Sequence, residues 1–149
     1  MTSTLRPHKL QGDRITIREI EAEILIYDER THRAWCLNPS SACIWQLCDG
    51  RNTLGEIAAG ATKKLGSQVN RELVLFTLEE LQEKGLLEDG MAEALPRGPS
   101  RREMIGKVGL AAALLLPAIA AITAPPAMAQ SGSVGTDARR RAKKRPPAP

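Results

Sequence analysis

The hydrophobic and polar positions of the first forty residues alternate in a way that predicts three β-strands. The strands are expected at residues 14–20, 23–28 and 33–38. In the first, Ile15 and Ile17 share one face while polar residues occupy the other, which is typical of a half-buried strand. In the third, Trp35 and Leu37 share a face. An antiparallel three-stranded sheet is the simplest arrangement of these strands.

Capping residues and a helical period predict three helices after the strands. They are expected at residues 39–49, 54–65 and 71–84. Asn38 is a favourable N-cap, and Pro39 follows at the first helical position, where its missing N–H is harmless. Thr53 and Glu56 form a capping box before the second helix, and Asn70 caps the third. The second helix carries an apolar stripe of Leu54, Ile57, Ala58, Ala61 and Leu65.

This order of elements predicts a small winged-helix-like α+β domain over residues 10–90, with a disordered start at residues 1–9 and a linker at residues 91–103. Charge separates the domain from the C-terminal part of the chain. Residues 1–90 carry 11 Lys and Arg against 14 Asp and Glu, a net charge of −3, whereas residues 91–149 carry 10 against 3, a net charge of +7. The overall charge of +4 therefore describes neither part.

The three cysteines are predicted to be packing residues. Cys36, Cys43 and Cys48 lack the paired spacing of zinc ligands, so no metal site is expected. Nucleophilic catalysis needs a base beside the thiol, and the two histidines, His8 and His32, are expected in the disordered start and in a turn. No catalytic residue and no cofactor are predicted. An odd cysteine count without an N-terminal signal peptide indicates a reducing, cytoplasmic setting for the domain.

A longer pattern resembles the PqqD family. It consists of LIYDERTHRAWCLNPSSACIWQLCDGRNTLGEIA at residues 25–58 and LEELQEKGLL at residues 78–87. The similarity extends over roughly residues 10–90. It implies a non-catalytic domain that recognises the leader of a ribosomally made precursor peptide. The domain would present this peptide to a maturation enzyme such as a radical SAM protein. It also implies that the peptide adds as an extra strand to the third strand, beside the third helix.

The residues themselves permit that binding mode. The third strand is last in the hairpin order, which leaves it an edge for strand addition. On the third helix, Val74, Leu78 and Leu81 form an apolar stripe on one face. Phe76 falls opposite this stripe and among carboxylates, which suggests an exposed anchor with an acidic rim. Alternatively, Phe76 folds over the sheet edge and only the glutamates face water. The candidate peptide-binding residues are Ala34, Trp35, Cys36, Leu37, Glu72, Leu73, Phe76, Glu79, Glu80 and Glu83.

The same helix argues against nucleic acid as a partner. Winged helices often bind DNA through this element, and DNA affinity comes largely from Lys and Arg that neutralise phosphates. Here Arg71 and Lys84 stand against four glutamates within a domain of net charge −3. Repulsion is therefore expected to dominate.

The C-terminal part resembles a targeting segment. SRREMI at residues 100–105 is similar to a twin-arginine signal, and an Ala-x-Ala lies at residues 127–129. Residues 108–124 form an apolar run of 17 residues, about 25 Å as a helix, which is at the short limit for crossing a bilayer. A hydrophobic helix over residues 104–129 could be an anchor, an internal cleavable signal, or an amphipathic or buried helix.

Membrane association is the favoured interpretation, with the domain in the cytoplasm and anchored to the inner membrane. The last twenty residues, 130–149, are expected to be a disordered basic tail because they are polar and rich in proline. The alternative function is a membrane-tethered structural or regulatory adaptor that binds a protein unrelated to peptide modification.

Overall fold

The computed structural model describes residues 5–108 and 116–122, which form an α+β fold. The elements are β1 (Ile15–Ile20), β2 (Glu23–Asp28), β3 (Arg33–Leu37), α1 (Pro39–Leu47), α2 (Leu54–Leu65), α3 (Arg71–Glu83), α4 (Met91–Ala94), α5 (Arg101–Val108) and β4 (Ile119–Ile122). Each strand and helix predicted for the first ninety residues is present, and its ends lie within two residues of the prediction.

The sheet has four strands among the described residues, not the three that were predicted. Its order is β1-β2-β3-β4, and each neighbouring pair is antiparallel. The fourth strand comes from residues 119–122, which were expected to belong to a hydrophobic helix spanning 104–129. Pro117 disfavours a helix that continues through this point, and the β-branched Ile119 and Ile122 favour extended backbone. The winged-helix arrangement stays a prediction.

The core lies between one face of the sheet and helices α1 to α3. Ile24 and Ile26 of β2 face inwards beside their partners Leu37 and Trp35 of β3, and all four are buried. Trp45 of α1 fills the centre of the core. Its indole N–H donates a hydrogen bond to the Leu86 carbonyl oxygen at 3.0 Å, which satisfies its polar atom.

Strand β1 is more exposed than its alternation predicts. Ile15 is half-buried, but Ile17 is 43% exposed and Ile20 is 54% exposed. The helix α1 packs on β2 and β3, so β1 extends beyond the covered part of the sheet. The prediction that Ile17 shares a buried face is therefore wrong.

The predicted helix caps are confirmed. Thr53 and Glu56 make both hydrogen bonds of the capping box, with N···O distances of 2.7 and 3.3 Å. Asn70 accepts a hydrogen bond from the Leu73 amide at 2.8 Å. Helix α2 ends at Gly66, whose φ of +65° lies in the left-handed region that glycine adopts without strain.

Residues 5–10, which include part of the predicted disordered start, lie against the domain. The Lys9 amide donates to the Cys48 carbonyl oxygen at 2.8 Å, and the ammonium group of Lys9 lies 5.1 Å from the centroid of the Trp45 ring. The predictions for residues 1–4 and for the basic tail at 130–149 fall outside the described residues.

The segment predicted to reach a membrane is described in two pieces, α5 and residues 116–122. Within the described residues, no helix combines the length and the hydropathy required to cross a bilayer. The Met104 side chain, inside the predicted hydrophobic segment, is fully buried in the core of the domain.

Candidate functional site

The outer edge of β3 is the side on which the resemblance placed a peptide. The Glu29 amide donates to the Arg14 carbonyl oxygen at 3.0 Å, so the backbone groups of Ile26, three residues earlier, point to the opposite side, towards β3. Trp35, the partner of Ile26, therefore directs its own backbone groups towards β2. Backbone groups of successive strand residues point to opposite sides, so those of Ala34 and Cys36 point away from β2. Beyond the end of β3, the Asn38 amide donates in the same outward direction, to the Ala118 carbonyl oxygen at 3.0 Å. This edge therefore offers hydrogen bonds at every second residue.

Strand β4 of the same chain lies on that edge. Cys36 is opposite Ala120, and Ala34 is opposite Ile122. Because hydrogen-bonded pairs alternate in antiparallel sheets, these two pairs are the hydrogen-bonded ones, in phase with the Asn38–Ala118 bond. The edge that was predicted to be open is thus covered by residues 119–122.

The acidic face of α3 contacts α5 and the linker before it. The Glu80 carboxylate lies 3.0 Å from the Arg101 guanidinium, and the Glu72 carboxylate lies 3.0 Å from the Lys107 ammonium group. The Glu79 carboxylate accepts a hydrogen bond from the Gly98 amide at 2.6 Å. Three of the four predicted acidic residues therefore hold groups of the C-terminal part.

Gly98 lies close to α3. A Cβ atom at this position would lie 3.1 Å from the Glu79 carboxylate and 3.4 Å from the backbone of Leu75. Glycine lets the linker backbone come into hydrogen-bonding range of Glu79. A side chain at this position would therefore require the Glu79 carboxylate to shift by a few tenths of an ångström.

Phe76 is not the exposed anchor that one prediction made it. Its side chain is only 5% exposed and belongs to the hydrophobic core cluster. The guanidinium of Arg101 lies 5.7 Å from the centroid of its ring, in the range of a cation–π contact. The residue stands opposite the stripe of α3 as predicted, but α5 contributes to covering it.

The remaining predicted residues lie either in the core or at a cleft beside β3. Leu37 and Leu73 are buried, so their side chains support the site rather than contact a ligand. Trp35 is also buried, but it lines a cleft of about 480 Å³ that brings β3, the end of α3 and β4 together. The cleft is lined by His32, Arg33, Ala34, Trp35, Glu83, Lys84, Ala121 and Ile122.

The thiols of this region are protonated. Burial raises the pKa of Cys48 to about 12, and it raises the pKa of Cys43 as well. Burial, followed by the hydrogen bond that the Cys36 thiol donates to Glu23, raises the pKa of Cys36. Since the thiolate is the nucleophile and the metal ligand, these thiols are poor at both tasks at neutral pH. The described residues contain no group of three metal-ligating side chains.

Sequence reasoning missed the residues that complete the site. Asn38 was recognised only as a helix cap, yet its side chain makes two further hydrogen bonds. The Nδ2 group donates to the Leu116 carbonyl oxygen at 2.8 Å, and Oδ1 accepts from the Ala118 amide at 3.1 Å. Arg101, Met104 and Lys107 were assigned to a targeting segment. Their spacing of three residues places them on one helical face, and a basic face opposite an acidic one was the signal that could have identified them.

Comparison with known proteins gives one match. The family model described as coenzyme PQQ synthesis protein D (PqqD) matches residues 23–87, a range that contains β2, β3 and helices α1 to α3. A search of curated proteins and of solved structures finds no significant match. The family resemblance inferred from the sequence is confirmed by this match over residues 23–87.

Proposed function

We propose that this protein binds a precursor peptide without catalysing its modification and presents it to a maturation enzyme. The family match supports a peptide-binding role in the biosynthesis of a modified peptide product. We place the binding at the docking surface, defined here as the outer edge of β3 together with the α3 face that carries Glu72, Phe76, Glu79 and Glu80.

The observation that carries the proposal is that the β3 edge accepts an extended segment. Strand β4 pairs with it over four residues in an antiparallel register. Main-chain hydrogen bonds of this kind supply affinity in strand addition, and side-chain contacts supply specificity. A precursor peptide can use the same backbone groups of Ala34 and Cys36.

The charge of the docking surface favours a basic peptide. Glu72 and Glu80 each meet a cation of α5 at 3.0 Å, and Glu79 accepts a backbone amide. A ligand without cations at these points would leave partly covered carboxylates without partners. The same argument disfavours nucleic acid, whose phosphates would be repelled.

A binding role agrees with the chemistry of the described side chains. The three thiols have raised pKa values and are unpaired, which is typical of packing residues in a reducing compartment. We therefore propose a cytoplasmic location. Membrane association is not part of the proposed function, because Met104 is buried in the domain and β4 pairs with β3.

Two substitutions at one residue test the proposal. Proline at Cys36 removes the amide that points towards the peptide while leaving the hydrogen bonds between β2 and β3, whereas Cys36→Ser keeps the amide. The chain and both variants would be immobilised and exposed to small peptides from the native host, with bound peptides identified by mass spectrometry. The best candidate would then be synthesised and titrated into each protein in an Ala120→Pro background, which weakens the β4 pairing that competes for the same Cys36 amide.

We expect Cys36→Ser to bind like the wild type and Cys36→Pro to lose at least about tenfold in affinity, which corresponds to roughly 1.4 kcal/mol. Circular dichroism would verify that both variants are folded. Equal affinity of the two variants would rule out strand addition at β3. A maturation enzyme that modifies the peptide equally well without this protein would rule out the presenting role.

A further inference from the structure

The C-terminal segment, described by the structure at residues 98–108 and 116–122, contacts both parts of the docking surface in a fixed order. Its helix α5 lies on α3, and its strand β4 lies on β3. The helix comes first and the strand follows in the chain. The segment therefore has the layout of a ligand that spans the whole surface.

The helical part presents three side chains at a spacing of three residues. Arg101 meets Glu80 and the Phe76 ring, Met104 is fully buried, and Lys107 meets Glu72. A spacing of three keeps these side chains on neighbouring positions of one face. The pattern is a cation, an apolar side chain and a second cation.

Asn38 joins the strand part to the domain. Its side chain accepts hydrogen bonds from the amides of Ser41, at 3.0 Å, and Ala118, at 3.1 Å, and it donates to the Leu116 carbonyl oxygen at 2.8 Å. The same side chain thus begins α1 and fixes the entry of β4. The Arg101 guanidinium also donates to the Pro117 carbonyl oxygen at 3.3 Å, which ties the helical part to the strand part.

We propose that the C-terminal segment is a built-in ligand of the docking surface, which a precursor peptide must displace, and that the peptide carries the same chemistry. The ligand class is a peptide with a short helix that presents Arg, an apolar residue and Lys at positions i, i+3 and i+6, followed by a short strand of small and aliphatic residues. The proposal rests on the proposed function, since it names the ligand class of the same surface.

The tether gives the built-in ligand an advantage over a free peptide. A covalently linked segment acts at an effective concentration in the millimolar range for short linkers. A free peptide with the same contacts binds weakly until the segment is released. A partner that holds the segment elsewhere, such as a maturation enzyme, would therefore open the surface.

Two proline substitutions in β4 distinguish the loss of a hydrogen bond to β3 from the effect that a proline alone has on the strand. Ala120 is opposite Cys36 in a hydrogen-bonded pair, so Ala120→Pro removes a donor to β3. Ala121 is opposite Trp35 in the alternate pair, so its amide points away from β3 and Ala121→Pro removes no such bond. Proline is tolerated at such outward positions of edge strands.

The probe is a fluorescein-labelled synthetic peptide with the sequence of residues 98–122, titrated into the full chain by fluorescence anisotropy. We expect Ala120→Pro to bind it about tenfold more tightly than the wild type or Ala121→Pro, as the loss of a net hydrogen bond of up to roughly 1.5 kcal/mol from the competitor allows. A probe in which Arg101 and Lys107 are both replaced by Glu should bind Ala120→Pro at least tenfold less tightly.

Amide hydrogen exchange supplies a second measurement on the same proteins. The Cys36 amide should exchange slowly in the wild type and in Ala121→Pro, and about tenfold faster in Ala120→Pro. Equal exchange in all three, or equal probe affinity in all three, would overturn the built-in ligand. Equal affinity of the charge-reversed probe would overturn the ligand class.

The host peptide identified in the experiment with Cys36→Pro and Cys36→Ser allows this proposal and the proposed function to fail separately. If it requires the Cys36 amide but binds the wild type and Ala120→Pro equally, the built-in ligand is refuted and the proposed function stands. If the labelled probe behaves as expected and no host peptide depends on the Cys36 amide, the built-in ligand is supported and the proposed function fails.

Discussion

The domain region that matches the PqqD model, residues 23–87, and the C-terminal segment are held in place by different interactions. The domain has a continuous core in which large side chains such as Trp45, Ile57 and Leu78 are fully or almost fully buried. The described part of the segment contributes two buried side chains, Met104 and Pro117, and the half-buried Leu116 and Ile119, together with ion pairs and strand pairing. The comparison indicates that the domain can remain folded when the segment leaves.

The energies of the two regions reflect this difference. Removing a large core side chain costs about 3–5 kcal/mol, whereas an exposed ion pair contributes about 0.2–1 kcal/mol. The cations of the segment are more than half exposed, at 53% for Arg101 and 57% for Lys107. A weakly held segment beside a stable domain is what a displaceable ligand requires.

The largest effect is expected in the domain core. Trp45→Ala removes a buried indole and one of the two hydrogen bonds to the Leu86 carbonyl oxygen, which also accepts from the Leu10 amide. We expect the free energy of unfolding to fall by about 3–5 kcal/mol, measured by urea denaturation followed by circular dichroism. Ile20→Ala, on the exposed β1, is the control and should change it by less than about 0.5 kcal/mol. If Trp45→Ala lowered the free energy of unfolding less than Met104→Ala does, the domain core would not be the more stable of the two regions.

Met104→Ala should instead release the segment. Its effect on the unfolding of the domain cannot exceed the free energy with which the segment is docked, because the domain remains folded once the segment is free. We expect faster tryptic cleavage after Arg101 and Arg102, and a smaller shift in the urea midpoint than Trp45→Ala gives. Ile105→Ala, at a 45% exposed position of the same helix, is the matched control. Equal cleavage of both variants would contradict a docked Met104.

The fold of the domain could be predicted because its signals are local. Asn38 and Pro39, the Thr53–Glu56 capping box and Asn70 each mark a helix start within a few residues of sequence. The stripe of Val74, Leu78 and Leu81 was likewise predicted correctly, since all three are fully buried. Patterns of this kind are typical of elements that pack on the nearest core.

The covering of the site could not be predicted in the same way. Ala120 pairs with Cys36, and Lys107 meets Glu72, over sequence separations that no local pattern encodes. The apolar run around β4 has the composition of a membrane segment and of a buried strand alike. Phe76 was therefore given an exposed position that α5 in fact helps to cover.

Charge substitutions should have an intermediate effect on the segment. Glu80→Arg and Arg101→Glu each place like charges together, and the double variant restores an opposite pair. We expect a coupling energy of about 0.5–1 kcal/mol between them, measured as changes in amide exchange at Met104. The coupling should fall as salt rises to physiological levels, where the Debye length is about 8 Å.

Glu83→Arg is the control for that cycle, because Glu83 is exposed and has no ion pair among residues 5–108 and 116–122. It should change the exchange of Met104 less than Glu80→Arg does. A coupling energy of zero at low salt would show that the acidic face is only solvated and does not hold α5.

The smallest effect is expected from the pH dependence of the start of α5. Hydrogen bonds from the Ser100 amide and the Ser100 hydroxyl hold the pKa of Glu103 below its ordinary value of 4.5. A lowered pKa means that the ionised carboxylate stabilises the helix, fully above the ordinary value, and that this contribution is lost as pH falls through the lowered pKa. Glu103 is not the only carboxylate at this point, because Glu79 and Glu83 line the same cavity.

Glu103→Gln separates the contribution of this residue from that of its neighbours, because glutamine can still accept from the Ser100 amide but carries no charge. We expect the wild type to protect the Met104 amide slightly better than the variant above about pH 5, and the two to converge in more acidic solution. Taking the ratio of their exchange rates at each pH removes the intrinsic pH dependence of exchange. A ratio that stays constant across this range would show that the Glu103 charge does not hold α5 on the docking surface.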